Sequence, residues 1–405
     1  MKTIGATRPR RAHEDAQAVV RQARRRQRRR RLVTAVAAVL AAGGALGGYA
    51  AATGTGHPRS AHTVSGTGHR SPPGPRTLGI GATMLMWPSA GPESWMSGAY
   101  VDDLSTGRLV LRQLPGIIPG DYSPYLVTVG RRLVYVGQHG TTVIAADLTG
   151  KPRVLGTTPF FAPSAEPGHV WLLYDRKAAH VARPVPVTGG RPGPAVALPR
   201  ETFLVQGTGR GLLLEGPPNG TLQLWTPGHA PTPLPHSPVW VHLFAADTRL
   251  AAYGTGCKHL TASSFEYDAC PELRVFDVVT GRLDSFRAPP GTTGWVQNGI
   301  RPLGMNNGIS PLDTMLAAEA VTSARRGRTR LFVLPLGPWH PRPTAVPSSA
   351  ALMTAMTTWS ADGSWLFYQG PGGHLWAYQY ATGQARPSAI PCCQYTAMAT
   401  IPSPP

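Results

Sequence analysis

From residue 82 onward, apolar residues alternate with polar ones in short runs, and the runs recur in a fixed order. The segments AYVDDLSTGRLVLRQLPG, VIAADLTGKPRVLGTTP, VARPVPVTGGRPGPAVALP, LQLWTPGHAPTPLPH, LRVFDVVTGRLDSFRAPPG, LFVLPLGPWHPRPTAVP and LWAYQYATGQARPSAIP follow one plan. Each is an alternating strand, a glycine-centred turn and a more polar strand closing on proline. The turn glycines are Gly107, Gly150, Gly189, Gly228, Gly281, Gly337 and Gly383, spaced 43, 39, 39, 53, 56 and 46 residues apart. A second strand precedes each unit (ATMLMW, RRLVYVG, HVWLLY, GLLLEG, TRLAAYG, TMLAAEA, SWLFYQG), and before most of these runs a further apolar one, such as YLVTVG, TFLVQG, VWVHLFA or ALMTAMTTW. Four strands per unit at a period in the forties is the pattern of propeller blades. The pattern predicts an all-β fold, a seven-bladed β-propeller.

The first unit lacks an innermost strand before ATMLMW, while CCQYTAMATIP at the chain end reads like the innermost strand ALMTAMTTW. Residues 394–401 are therefore expected to complete the first blade and remove an open sheet edge. The 47 glycines and 42 prolines agree with many turns and no long helices in this body.

The N-terminal part has another character. Residues 1–31 hold 12 Lys/Arg against 2 acids, so more than half of the net charge of +19 sits in this arm. Residues 32–52 carry no charge, and as a helix of about 1.5 Å rise per residue they match a bilayer core. Arg28, Arg29, Arg30 and Arg31 abut this run, and only Arg59 follows it closely. The positive-inside rule then predicts a signal anchor with its N-terminus in the cytoplasm. The expected division is a basic cytoplasmic segment (1–31), a transmembrane helix (32–52), a flexible Gly/Ser/Pro-rich stalk (53–76) and an extracellular propeller (77–405). Ala50 to Ala52 form an A-x-A pattern, which leaves cleavage and secretion as the alternative. The arm is expected to touch membrane lipid. The body shows no aromatic and basic interleaving, helix-turn-helix or zinc-finger spacing, so no nucleic-acid partner is expected.

Four cysteines follow the anchor, where disulfides form. Cys257 and Cys270 bracket the longest loop between a second and a third strand and are expected to pair, pinning that loop of the fifth unit. Cys392 and Cys393 are left to each other, either bonded as neighbours or as two thiols that are reduced or bond outward. Catalytic motifs are missing: there is no G-x-S-x-G, H-E-x-x-H, C-x-x-C or phosphate loop, and no metal, cofactor or catalytic residue is expected. Asp102 and Asp103 read as turn residues, and His236 and His242 as solvated. Trp87, Trp95, Trp295, Trp339 and Trp359 read as filling between blades rather than as ligand contacts.

The stretch WSADGSWLFYQG, residues 359–370, resembles the S-x-D-G turn and aromatic strand of WD-type repeats in TolB-like periplasmic propellers. The layout of basic segment, single helix and outer propeller resembles actinobacterial proteins encoded beside extracytoplasmic-function sigma factors. The leading expectation is a membrane-anchored binding or sensing module, not an enzyme, whose partner is an extracytoplasmic protein or small ligand. A regulator holding a sigma factor on the cytoplasmic side is one alternative. A propeller hydrolase or lyase with a loop-assembled site is the other.

Overall fold

The computed structural model describes residues 80–402 except 81, 89–97, 105–107, 114–125, 138–141, 147–151, 159, 177–178, 217–219, 238–241, 263–264, 297–307, 324–327, 338–341, 350, 353–356, 371–374 and 389–394. The arm with Arg28 to Arg31, the apolar run 32–52, the stalk, Trp95, Trp339, Cys392 and Cys393 lie outside the described residues. Among the described residues no helix is long and apolar enough to cross a membrane.

The body is all-β, and its strands fall into antiparallel sheets, most of them four-stranded. Numbered along the chain, sheet 1 holds Ala82–Pro88, Gly98–Asp103 and Arg108–Gln113. Sheet 2 starts with Leu126–Val129, sheet 3 with Phe160–Pro163, sheet 4 with Phe203–Thr208, sheet 5 with His242–Ala246, sheet 6 with Trp295–Val296 and sheet 7 with Thr357–Trp359. In sheets 2, 3, 4 and 7 four consecutive strands pair in chain order. This is the meander of a propeller blade.

From sheet 2 to sheet 7 consecutive sheets pack face to face, and the alternation of side chains along a strand explains why second strands such as Arg132–Gly137 and Gly211–Gly216 are apolar on both faces. In Gly211–Gly216, Leu212 and Leu214 pack toward sheet 3 with Leu173, Ala182 and Leu204. Leu213, pointing the other way, joins Ala251, Tyr253 and Phe276 of sheet 5. In the next sheet Leu250 and Ala252 turn to Trp295, Leu316 and Phe332 of sheet 6, while Tyr253 faces back. A three-leucine run thus serves two cores at once, and a slip of one residue would exchange them. Trp295 is fully buried and donates from its indole nitrogen to the Phe286 carbonyl at 2.9 Å. Trp359, also buried, donates to Gly308 at 2.7 Å. Both tryptophans therefore fill space between sheets, as expected from the sequence.

The chain end closes sheet 1. Tyr395–Pro402 pairs antiparallel with Ala82–Pro88, from Ala82↔Pro402 to Trp87↔Ala397. The same strand touches the first strands of both sheet 7 and sheet 2. Thr400 donates its hydroxyl hydrogen to the Trp359 carbonyl, tying the strand to sheet 7 by a side chain as well. The first strands of neighbouring sheets 3 and 4 touch likewise, so first strands lie on the inner side of the array.

One element departs from the four-strand plan. The segment between Cys257 and Cys270, expected as a pinned loop of the fifth unit, is a hairpin of Lys258–Ala262 and Phe265–Cys270 that pairs with the first strand of sheet 6 through Ala269↔Val296 and Cys270↔Trp295. A hairpin left at an edge exposes unpaired backbone groups, and the short inner strand of sheet 6 supplies partners for one side of it.

Deleting residues 391–405 opens sheet 1 along the whole of Ala82–Pro88 and leaves the first strands of sheets 2 and 7 without their neighbour. The expected result is a fall in the melting midpoint by about 10 °C or more. An unchanged midpoint by calorimetry refutes the closing role of the last strand.

Candidate functional site

Because each four-strand meander begins where the previous one ends, the first residues of all first and third strands share one rim of the array. The loops between second and third strands lie there too. This rim, called upper here, carries the hairpin of sheet 5. The turns joining first to second and third to fourth strands lie at the opposite, lower rim.

At the upper rim the hairpin brings together three groups that are far apart in the chain. His259 and Asp268 face each other across the two hairpin strands, with His259 Nδ1 3.1 Å from an Asp268 oxygen. The other Asp268 oxygen is 3.7 Å from Nε2 of His242, the first residue of sheet 5. One carboxylate thus lies between two imidazoles, all three of them partly exposed. In the tautomer that carries its proton on Nδ1, His259 donates to Asp268. Local sequence explains how the hairpin is held so close. Cys257 and Cys270 are bonded at its base. His242 pairs with Gly254, and a Cβ at Gly254 would collide with the Cys270 sulfur and come within 2.8 Å of the Phe244 ring. Only glycine lets the disulfide pass that strand. His242, expected to be solvated, is instead a member of this cluster. The interval of 26 residues between His242 and Asp268 gave no sign of it, because an inserted hairpin folds back by tertiary pairing.

Two exposed phenylalanines share the same rim. Phe160 and Phe203 open the first strands of sheets 3 and 4, are 39% and 43% exposed, and meet edge to face with ring centroids 6.3 Å apart. His180, near the start of the third strand of sheet 3, lies 4.9 Å from the Phe203 ring.

The lower rim is richer in carboxylates. The Ser360–Gly363 turn singled out in the sequence joins the first two strands of sheet 7. Asp362 there accepts from the Ser360 and Ser364 hydroxyls and from the Ser364 amide. Burial acts to raise its carboxyl pKa, but these bonds outweigh it and the net shift is downward. The corresponding turns of sheets 5 and 6 carry Asp247 and Asp313, each in the sequence D-T-x-L, a shared signal that was legible and not used. Asp247 accepts from the Arg249 and Leu250 amides at 2.7 and 2.6 Å. Its pKa is nevertheless pushed up to about 7, first by burial and then by the neighbouring Asp313 carboxyl. Arg249 does not relieve this, since its guanidinium bonds Asp277 at 2.7 and 2.9 Å. Burial acts against the Asp277 anion, yet the Arg249 bond and the Thr280 and Val279 amides bring its pKa down to about 2. These carboxylates cap turns, which is a structural role. Asp102 and Asp103 close the strand Gly98–Asp103 before a turn. Among the described residues no three His, Cys, Asp or Glu side chains are placed to hold a metal ion.

No protein-family model and no curated protein matches the chain. Among solved structures it is similar to the periplasmic gluconolactonase of Pseudomonas aeruginosa, at 14% identity over 80% of this chain and 99% of that one, with a TM-score of 0.44. A protein of Bacteroides fragilis, provisionally named a 6-phosphogluconolactonase, is 14% identical over 79% of this chain and 98% of that one, with a TM-score of 0.46. TolB of Acinetobacter baumannii is 10% identical over 63% of this chain and 60% of that one, with a TM-score of 0.40. Several of these solved structures are named as lactonases, against the expectation of a binding or sensing module, which is corrected on this finding.

Two outcomes test the site's framework. Folding protonates Asp247 between its ordinary 3.8 and about 7, so the folded state binds the extra proton and stability falls as pH rises through that window. The melting midpoint should decline between about pH 4 and about pH 7, and less steeply in Asp247→Asn. Identical slopes in the two proteins contradict the assignment. Replacing Cys257 and Cys270 together by serine should cost up to about 3 kcal/mol in chemical denaturation, the scale for a loop of this length.

Proposed function

We propose that the chain is a hydrolase built on a seven-bladed β-propeller, acting on an ester or lactone at the upper rim. The observation that carries this is the Asp268 carboxylate held 3.1 Å from His259 Nδ1 and 3.7 Å from His242 Nε2. In this reading His259 Nε2 takes a proton from water as the water attacks the carbonyl carbon, and returns it to the departing alkoxide. Asp268 keeps the imidazole in the required tautomer and stabilises the imidazolium, as an orienting carboxylate does in histidine-based catalysis. His242, on the other side of Asp268, helps fix the position of that carboxylate.

The seven repeat units of the sequence, the blade-like meanders and the shared last strand support the seven-bladed ring. We further propose that residues 32–52 anchor the propeller outside the cytoplasmic membrane with Arg28 to Arg31 inside. The Cys257–Cys270 bond supports an oxidising compartment for the body.

Full-length protein in detergent, assayed by pH-stat against a panel of sugar lactones and simple carboxylic esters, is expected to turn over members of the panel. Asp268→Asn and His259→Ala should each lower kcat about a hundredfold or more, with the midpoint of unfolding little changed. Lack of turnover across the panel, or full activity in both variants, sinks the hydrolase reading.

A further inference from the structure

The two exposed phenylalanines of the upper rim occupy the place that His242 occupies one sheet further on. Phe203 and His242 each precede a leucine and a bulge, at Leu204/Gln206 and Leu243/Ala245 respectively, and each opens the first strand of its sheet. Phe160 opens the first strand of sheet 3 and pairs with Leu173. Sheets 3, 4 and 5 therefore present Phe, Phe and His at one successive position along the inner rim, beside the hairpin that carries His259 and Asp268.

Exposure at this position is not explained by packing. Their chain neighbours Phe161 and Leu204 are 5% and 4% exposed and fill the cores between sheets, as a first-strand residue of opposite parity should. Phe160 and Phe203 instead spend large apolar surface on water, and they do so in contact with each other. Among the described residues other large hydrophobics are exposed too, namely Val154, Val279 and Leu312, but none belongs to this rim position. The two rings meet edge to face at 6.3 Å, and both residues keep more than a third of their surface exposed. The His180 ring, tilted at 40° to Phe203, lines one flank.

We infer that Phe203 and Phe160 form the platform on which the non-reacting group of the substrate lies, and that this group is an aryl or alkyl portion of the ester or lactone. The inference rests on the hydrolase reading for the identity of the reacting bond, while the platform itself stands on the placement of the two rings. It makes Phe203 a specificity-determining residue: it holds the apolar group one sheet away from the imidazoles, and the carbonyl is carried toward His259 by the length of the substrate.

The two parts are tested separately with the full-length protein. Binding of 4-phenylbutanamide, an amide that carries the aryl group without the ester, is measured by calorimetry. Phe203→Ala should weaken it about tenfold, which corresponds to about 1.4 kcal/mol. Phe203→Tyr, which keeps the ring, should bind within twofold of the native protein, as should Asp268→Asn. Turnover of methyl 4-phenylbutanoate, the ester of the same chain length as the amide, and of methyl acetate is followed in parallel, and Phe203→Ala should lower kcat/KM for the first about tenfold through KM while sparing the second. No binding by the native protein, or binding unaffected by Phe203→Ala and Phe160→Ala, overturns the platform. Binding that depends on Phe203 in a protein that hydrolyses neither ester upholds the platform and removes the hydrolase reading alone.

Discussion

The body depends on the pairing of its last strand with its first. Tyr395–Pro402 fills the place beside Ala82–Pro88 and at once touches the first strands of sheets 2 and 7. The cores described here lie between consecutive sheets rather than within one, so no sheet has a complete apolar environment without its neighbours. A linear stack of such sheets would end in two apolar faces exposed to water. A strand drawn from the other end of the chain, paired with Ala82–Pro88 and touching the first strands of sheets 2 and 7, ties the two ends of the array together, and loop-closure entropy, which grows only slowly with chain length, opposes this weakly.

The same arrangement explains where chemistry can gather. Lower-rim carboxylates are engaged in holding backbone amides, as at Asp277 and Asp362. The upper rim accepts insertions without disturbing the stacked cores. The hairpin between Cys257 and Cys270 is such an insertion, and its pairing with Trp295–Val296 converts an appendage into part of sheet 6. Trp295, buried beneath it, donates to Phe286 and meets Phe332 edge to face at 5.8 Å. The hairpin is thereby fixed relative to His242, and a loop free to move could not hold Asp268 between two imidazoles.

Asp247 shows the opposite use of a carboxyl group. It accepts two backbone amides, which favour the anion, yet burial and the Asp313 carboxyl beside it raise its pKa toward neutrality. Arg249, two residues away, would compensate it but is committed to Asp277. The lower rim therefore contains a proton-binding group whose influence is on stability. The upper-rim cluster sits at the other end of the strands, where the rings of Phe160, Phe203 and His180 meet.

Much of the fold was written in the local pattern. Strand alternation, the turn glycines and the unmatched strand at the chain end predicted the meanders, the filling role of Trp295 and Trp359, and the closing strand, because each depends on short-range periodicity or on counting strands. The partner of Cys257 followed from the repeats, which place Cys257 and Cys270 in the fifth unit and Cys392 and Cys393 in the seventh, units that are not neighbours. The sequence did not predict that the loop itself is a hairpin belonging to the next sheet, since strand pairing between units leaves no trace in either segment. Nor did it predict His242, Asp268 and His259 as one cluster, or Phe160 and Phe203 as neighbours. Those juxtapositions come from residues that share a rim only after the sheets have been stacked, and sheet stacking is set by the sum of apolar contacts over the whole chain rather than by any motif within it.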